Sequence, residues 1–210
     1  KNEKAATATN FNRLIKKCFI PITLGGGINK FELAQELLSS GADKILLSTS
    51  VFENKSLINE ISTNYGDQSI IINLDYKKIN NNYFLFKNNG FEKIEIDLNI
   101  FFKNLVKFKF GELILNSITN DGTGMGLDVG ILELIPKNFI KPLIISGGVG
   151  NYRHIIEGLN NSKISAVATA NLLNFVGDGL KITRDKFIEK KFDFPTWDKD
   201  IILAKHKKFY

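Results

Sequence analysis

The sequence predicts an α/β protein in which strands and helices alternate strictly and close into an eight-fold β/α barrel. Short apolar runs alternate along the 210 residues with amphipathic segments of helical period. The runs at 70–72 and 143–145 contain only Ile and Leu, as parallel strands covered on both faces require. Alternation alone also allows an open doubly wound sheet. An internal duplication favours the closed barrel.

The duplication relates residues 21–52 to residues 142–173 without a gap, because each position in the second copy lies 121 positions after its counterpart. Each copy begins at a proline, Pro21 or Pro142. It then reads as an apolar strand, a glycine turn, an amphipathic helix, a second apolar strand and a short polar turn. This unit is too large for a solenoid repeat and matches half of a barrel.

The individual elements follow from the same apolar runs and helical periods. We predict six parallel strands, at 20–24, 44–48, 69–75, 112–117, 142–146 and 164–169. We predict helices at 10–18, 30–40, 54–64, 97–108, 128–135, 151–160 and 182–191, with an irregular or hairpin segment at 76–96. The six strands correspond to strands three to eight of a barrel. We therefore expect residues 1–210 to form one barrel domain whose first two strands lie upstream of Lys1, with a C-terminal extension at 192–210.

Composition narrows the classes of function. The single cysteine, Cys18, excludes a disulfide framework within the chain, and we interpret it as a buried thiol. The two histidines do not indicate a metal site, and we expect no cofactor. The net charge of +6 comes from scattered lysines without interleaved aromatics, so it favours a solvated surface or a small anionic substrate over nucleic acid. No signal peptide or membrane span is predicted, and we expect a cytoplasmic protein.

Small residues follow four of the predicted strands in two matched pairs. In a barrel the loops after the strands build the site, and missing side chains expose backbone N–H groups there. Each pair is therefore a candidate phosphate site, although glycine at a barrel turn also answers purely steric needs. The duplication favours the phosphate interpretation. The first pair comprises Gly25, Gly26, Gly27, Ser48, Thr49 and Ser50; the second comprises Ser146, Gly147, Gly148, Thr169, Ala170 and Asn171.

Two aspartates are candidate catalytic groups. Asp75 ends an otherwise apolar predicted strand, where a carboxylate faces the barrel mouth and suits general acid–base work. An aspartate at a strand end also caps turns, which is the alternative for Asp75. For Asp121, which is followed by Gly122 and Thr123, the turn interpretation is narrowly the better one on the residues alone.

Several segments together resemble the cyclase subunit of imidazole glycerol phosphate synthase. They are PITLGGGI, SGADKILLSTSVF, LDYK, LNSITNDGTGMG, SGGVG and ATANLLNF, which cover residues 21–175 in the family's order and spacing. The sister isomerase of the same pathway shares the half-barrel architecture. Its usual Gly-Thr-Ala-Ala is absent here, where the chain has Ser48-Thr49-Ser50-Val51, so the cyclase fits better.

The resemblance implies an activity and a partner. A glutaminase subunit would supply ammonia through the barrel core to a ribulosyl bisphosphate substrate, giving imidazole glycerol phosphate and an aminoimidazole carboxamide ribotide. Asp75 matches one of the family's two acid–base aspartates, and the other is expected upstream of Lys1. Lys44 and Glu112 match members of the charged ammonia gate, although a solvated salt bridge is the simpler interpretation of that pair. Asp43 matches a partner-facing carboxylate.

The resemblance also assigns the ligand contacts. The family's phosphate contacts match Gly27 and Thr49 at one end and Gly122, Gly148, Ala170 and Asn171 at the other, and Asn116 and Asp121 match substrate-lining positions. The remaining predicted residues come from the small-residue turns and the Asp-Gly-Thr loop. The predicted substrate and phosphate residues are Gly26, Gly27, Ser48, Thr49, Asn116, Gly122, Thr123, Gly147, Gly148, Ala170 and Asn171, with Asp121 beside them as a catalytic candidate.

Two departures from the family keep other functions open. The family commonly has Asp-Arg where this chain has Thr119-Asn120, and residues 78–90 are Asn-rich without the usual basic glycine loop. One alternative is a paralogue that carries ammonia for amidination of a surface-polysaccharide sugar. A second is a barrel that binds a phosphorylated ligand without turnover.

Overall fold

A computed structural model of the protein describes residues 19–170, 172 and 179–192. The predicted helix 10–18, Cys18, Asn171 and the extension after residue 192 lie outside the described residues.

The described chain is built on one sheet whose main path contains the six predicted parallel strands. Their order is β1-β2-β3-β6-β7-β8, so each neighbour along the sheet is the next strand of the β/α alternation, apart from a hairpin after β3. The parallel sheet of a (β/α)8 barrel is thereby confirmed. The strands are β1 Thr23–Gly25, β2 Lys44–Leu47, β3 Ile70–Ile79, β4 Asn82–Lys87, β5 Glu92–Lys93, β6 Glu112–Ser117, β7 Leu143–Ser146 and β8 Ala166–Ala168.

Helices follow the strands and cover one face of the sheet. They are α1 Phe31–Ser39, α2 Ser50–Glu53, α3 Lys55–Tyr65, α4 Leu98–Leu105, α5 Tyr152–Leu159 and α6 Gly179–Glu189. Side-chain caps begin three of them: Asn54 accepts a hydrogen bond from the Leu57 N–H (3.3 Å), Asp97 from the Ile100 N–H (3.0 Å) and Asn151 from the Arg153 N–H (2.8 Å). Such caps satisfy backbone donors that the first helical turn leaves unpaired.

Burial alternates along the strands and thereby separates two faces. In β6 the residues Leu113, Leu115 and Ser117 are buried, whereas Glu112, Ile114 and Asn116 are half-buried. Because side chains in a strand point alternately to opposite faces, the first set packs under the helices and the second set lines the barrel interior. Phe102 and Leu105 of α4 belong to the same core as the strand residues. The helical layer therefore fixes which residues face the interior.

The segment after β3 is a β-hairpin. β3 continues to Ile79 and pairs antiparallel with β4, from Asp75 opposite Phe86 to Ile79 opposite Asn82. The turn residues Asn80 and Asn81 have φ angles of 47° and 66°, which match the two left-handed positions of a type I′ turn. Asparagine tolerates this conformation better than most residues. The Asn-rich composition of this segment therefore has a backbone explanation.

One predicted helix is wrong in type. Residues Val129–Leu134 form a 3₁₀ helix instead of the α-helix expected at 128–135. Pro136 follows residue 135 directly and has no N–H with which to extend the helix further. The Leu132 carbonyl accepts hydrogen bonds from the Ile135 N–H (3.2 Å) and the Lys163 ammonium (2.8 Å).

The duplication is visible in the element boundaries. The starts of α1 and α5, at Phe31 and Tyr152, differ by the offset of the repeat, and so do the ends of β1 and β7 and the ends of β2 and β8. Both copies turn through glycines of positive φ after the first strand: Gly26 (108°) and Gly27 (68°), and Gly147 (91°) and Gly148 (97°). Their surroundings differ. A Cβ on Gly26 would meet nothing within 4 Å, whereas one on Gly147 would overlap the Ser117 carbonyl.

We predict that Gly147→Ala destabilises the protein more than Gly26→Ala, its repeat-related control. Both substitutions place an L-residue at strained positive φ, at a cost of about 1–3 kcal/mol. Gly147→Ala adds a clash with fixed backbone, so we expect it to exceed the control by about 1 kcal/mol or more. Urea unfolding of the two variants measures the difference. Equal losses would show that the overlap with Ser117 is relieved without cost.

Tyr76 and Tyr83 join the hairpin to the 3₁₀ segment. The Tyr76 hydroxyl donates to the Asp128 backbone carbonyl (2.7 Å) and the Tyr83 hydroxyl to Asp128 Oδ1 (2.8 Å), while the two rings meet edge to face with centroids 5.8 Å apart. Burial, followed by the negative charge of Asp128, raises the pKa of Tyr76 well above its ordinary value of 10.0. Burial also raises the pKa of Tyr83, and its hydrogen bond to Asp128 adds to this.

The raised pKa of Tyr76 predicts a loss of stability at alkaline pH. Below pH 10 the Tyr76 phenol is neutral in both the folded and the unfolded protein, and its contribution to the free energy of unfolding is fully present. As the pH rises beyond 10, the unfolded tyrosine ionises while the folded one stays protonated, which favours unfolding. We expect the unfolding midpoint in urea to fall as the pH rises above 10, and to fall less steeply in Tyr76→Phe. An identical slope in the variant would contradict this assignment.

Candidate active site

The candidate site begins with a row of inward-facing residues at the carboxyl ends of four parallel strands. Asp75 of β3 is in register with Asn116 of β6, Asn116 with Ser146 of β7, and Ser146 with Ala168 of β8. Asp75 does not end its strand, as the sequence suggested, because β3 runs on into the hairpin. It does lie at the upper end of the parallel pairing, which stops at Tyr76 opposite Ser117.

Side-chain hydrogen bonds connect this row. Asp75 Oδ1 accepts from Asn116 Nδ2 (2.9 Å) and from Asn73 Nδ2 (3.1 Å). The Ser146 hydroxyl in turn donates to Asn116 Oδ1 (2.8 Å). A half-buried carboxylate is thus held by two amides at the level where the loops after the strands begin.

The second pair of turns borders a cavity of about 240 Å³ above this row. Asp121 and Asn116 contribute the ionisable and amide side chains, and the remaining wall is mostly glycine, alanine and small hydroxyl residues. The lining residues are Asn116, Asp121, Gly122, Ser146, Gly147, Gly148, Val149, Ala168, Thr169 and Ala170. Such a wall leaves backbone groups accessible to a small polar ligand.

The loop carrying Asp121 is fastened to the glycine turn. The Gly126 N–H donates to the Gly148 carbonyl (2.7 Å), and Asn120 Nδ2 donates to the Gly126 carbonyl (3.0 Å). A Cβ on Gly148 would overlap the Gly126 carbonyl and lie 2.9 Å from the Asn120 Cβ. Only glycine permits this approach, so the loop and the turn form one wall of the cavity.

The first pair of turns is approached by the hairpin. The Asn88 N–H donates to Thr49 Oγ1 (3.1 Å), so the hydroxyl proton of Thr49 remains available for another acceptor. Lys87 bridges Glu53 of α2 (2.7 Å) and Glu92 of β5 (3.0 Å), and these two partners raise its pKa. Gly26 and Gly27, which follow the neighbouring strand β1, are exposed. The hairpin is therefore held against the first turn.

The opposite end of the interior carries a charge pair. The Lys44 ammonium at the start of β2 and the Glu112 carboxylate at the start of β6 form a salt bridge across the inner face of β3. The two side chains are only 28% and 22% exposed, so the pair is shielded from solvent more than an ordinary surface pair. Asp43, beside Lys44, is exposed and accepts the Ile22 N–H (2.7 Å).

Between the charge pair and the polar row lies a second cavity of about 380 Å³. Its wall is apolar in the middle, where Leu46, Ile71, Ile114 and Ile144 face inward, and Lys44 and Glu112 lie at its lower end. Ala168 lines this cavity and also the upper one, so the two spaces adjoin. From its lower to its upper end, the interior is thus lined first by a charge pair, then by apolar side chains and finally by the polar row.

Some of the predicted site residues line the two cavities, whereas Asp75 lines neither and joins the upper one through its bond to Asn116. Asn116, Asp121, Gly122, Gly147, Gly148 and Ala170 share the upper cavity. Thr123 is not among its lining residues, because its hydroxyl donates to the Asn120 carbonyl (2.6 Å) and accepts the Met125 N–H (3.2 Å) within the loop.

The sequence analysis did not single out Asn73 and gave Ser146 only as a candidate phosphate residue, whereas the structure shows Asn73 bonded to Asp75 and Ser146 bonded to Asn116. The period-2 alternation of a strand, which places residue 73 on the face of residue 75, was the signal available for Asn73. Within residues 19–170 and 179–192, no group of three His, Cys, Asp or Glu side chains is placed to hold a metal ion. None of the helices in the described parts of the chain has the length and apolarity needed to cross a bilayer.

The fold and site define a β/α-barrel protein with a polar pocket at the carboxyl ends of its strands and a charge pair at the other end. Residues 1–177 match the model of a family described as "Histidine biosynthesis protein". The chain belongs to this family, which confirms the resemblance noted in its motifs.

Two relatives give the family relationship more detail. A protein of Parasynechococcus marenigrum (strain WH8102), named "Putative imidazole glycerol phosphate synthase subunit hisF2", is 39% identical over 179 residues, which are 85% of this chain and 66% of that protein. The "Imidazole glycerol phosphate synthase subunit HisF" of Chloroherpeton thalassium (strain ATCC 35110 / GB-78) is 34% identical over 163 residues, 78% of this chain and 65% of that protein. The matched region is thus just under two thirds of each relative's length.

Proposed function

We propose that this chain provides the substrate and ammonia path of an imidazole glycerol phosphate synthase cyclase, which uses ammonia from a glutaminase partner. One observation carries the proposal above all. Asp75 lies at the upper end of the parallel pairing, on a strand between those that lead to the two pairs of turns, and its carboxylate bonds to Asn116 of the upper cavity. An apolar cavity lies between this level and the Lys44–Glu112 pair.

The two pairs of turns suit a substrate with a phosphate at each end. The second turn shares a cavity with the Asp121 loop, and the first offers exposed Gly26 and Gly27 beside the Thr49 hydroxyl. The mouth of the interior lies between them, because Asp75 and Asn116 belong to strands between β2 and β7 in the sheet. A long bisphosphate bound at both turns would therefore present its central atoms to Asp75, which acts as the general acid and base. Asp121 contacts the substrate from the loop.

The lower cavity suits ammonia in transit. Its middle section offers Leu and Ile side chains, which retain neither a small polar molecule nor an ion strongly. The Lys44–Glu112 pair closes its lower end, and the exposed residue Asp43 directly precedes Lys44 in the chain. We propose that the glutaminase docks at this end and that displacement of the pair admits ammonia.

A second candidate is an ammonia conduit for amidination of a sugar, without cyclase turnover. It is favoured by the loop over the upper cavity, where the chain has Thr119-Asn120. The amide of Asn120 is used to bond the Gly126 carbonyl, so this side chain builds the loop rather than projecting toward a ligand. The conduit candidate keeps the gate and the apolar cavity and needs no acid–base role for Asp75.

We predict that Asp75→Asn abolishes cyclisation and leaves bisphosphate binding within a few-fold of the parent protein. The substitution preserves the size of the side chain and removes its capacity to exchange a proton. Product formation with ammonium salt and calorimetric titration with the bisphosphate measure the two quantities. Asp97→Asn is the control, because Asp97 caps α4 through the Ile100 N–H and does not belong to the polar row of Asp75 and Asn116. Unchanged turnover in Asp75→Asn would remove this residue from the mechanism.

We predict that Lys44→Ala reduces glutamine-dependent turnover more than ammonium-dependent turnover. Ammonium salt supplies ammonia from solution, whereas ammonia made by the glutaminase must pass the Lys44–Glu112 pair. Assays of the two nitrogen sources with the partner present give the ratio. Lys186→Ala, which removes an exposed ion pair on α6, is the matched control. Equal losses with both nitrogen sources would contradict the conduit.

A further inference from the structure

We propose that Asn73 is a positioning residue that, together with Asn116, fixes the plane of the Asp75 carboxylate and leaves Oδ2 as the oxygen that exchanges protons. The inference rests on the proposed acid–base role of Asp75 and adds the group that orients it.

The hydrogen bonds of the carboxylate are unevenly distributed. Both recorded donors, Asn73 Nδ2 at 3.1 Å and Asn116 Nδ2 at 2.9 Å, bond to Oδ1. Among the described residues no hydrogen bond or ion pair is recorded on Oδ2. One oxygen is therefore occupied by two amide donors while the other remains available at the mouth. The two oxygens of a carboxylate are chemically equivalent, so what the amides fix is the direction in which the available oxygen points.

The two amides approach from different directions. Asn116 reaches Asp75 from the neighbouring strand, where the two residues are in register. Asn73 reaches it along β3 from two residues earlier, on the same face of the strand. A single donor would leave the carboxylate free to rotate about its broad χ2 torsion. Two donors from different directions restrict that rotation.

The orientation of Asn116 is itself determined by Ser146. The Ser146 hydroxyl donates to Asn116 Oδ1 at 2.8 Å, so the amide must present its NH₂ group to Asp75. Asn73 has no other recorded hydrogen bond of its side chain among the described residues. The Asn73 side chain thus bonds only to Asp75 among the described residues, whereas Asn116 bonds to both Asp75 and Ser146. A substitution of Asn73 therefore tests the contact with Asp75 more specifically than one of Asn116.

The first test separates positioning from binding. Asn73→Leu keeps a side chain of similar size and removes both donors. We expect kcat to fall about 10- to 100-fold, because small misplacements of a catalytic group have effects of this order, and KM to stay within twofold. Asn73→Ser, which retains a shorter donor, should recover part of the loss. Asn64→Leu is the matched control, since the Asn64 amide bonds the Glu60 carbonyl on the surface of α3. A parent-like kcat in Asn73→Leu, or a rise in KM alone, would overturn the proposal.

The second test does not depend on turnover. The side-chain NH₂ resonances of Asn73 and Asn116 can be assigned by their loss in Asn73→Leu and Asn116→Leu. We expect Asp75→Ala to shift both pairs of signals and to leave that of Asn64 unchanged. An unshifted Asn73 signal would overturn the positioning role whatever the activity. If the parent protein forms no product while the signals shift, the cyclase function fails and the contact that orients Asp75 remains.

Discussion

The register of the parallel strands is the constraint on which the rest of the site depends. Asp75, Asn116, Ser146 and Ala168 form one row only because β3, β6, β7 and β8 pair at these residues. A slip by one residue would turn each of these side chains toward the helices. The register is fixed by the other face, where Leu74, Leu115 and Ile145 are fully buried in the core. The apolar core therefore determines the geometry of a polar site that it does not touch.

The duplication supplies two similar turns that the surrounding structure then makes different. Both use glycines of positive φ after the first strand of the half-barrel. The second turn is packed against β6 and the loop that carries Asp121, so Gly147 and Gly148 are required by close backbone contacts. The first turn is open at Gly26, and the hairpin reaches its neighbour Thr49 through the Asn88 N–H. Under the proposed function, the two ends of one ligand would thus meet one turn packed against backbone and another that is open at Gly26 and contacted by the hairpin.

Much of this architecture could be predicted from the sequence, because apolar runs and the repeat are properties of neighbouring residues. The strand order and the placement of Asn116, Asp121 and Gly148 around one cavity follow from the barrel topology. The 3₁₀ segment could not be predicted from its apolar pattern, since that pattern does not distinguish the two helix types over so few residues and the Lys163 ammonium that bonds the Leu132 carbonyl is distant in sequence.

The hydrogen bonds of the candidate site could not be predicted from the sequence, because they also depend on contacts between distant residues. For residues 76–96 the sequence left an irregular segment and a hairpin open, and the contact of the hairpin with Thr49 is long-range. The bond from Ser146 to Asn116 and the two bonds to Asp75 require the exact register and side-chain directions. Residue pattern thus indicated a candidate site, and tertiary packing determined which of its atoms meet.

The most direct measurement is turnover of the ribulosyl bisphosphate by the full-length protein, supplied with ammonium salt at alkaline pH so that no glutaminase is needed. We expect formation of imidazole glycerol phosphate together with the aminoimidazole carboxamide ribotide. Tight binding of the bisphosphate without either product would contradict the cyclase function and favour the conduit. Absence of both binding and product would also contradict the assignment of the two pairs of turns to phosphate.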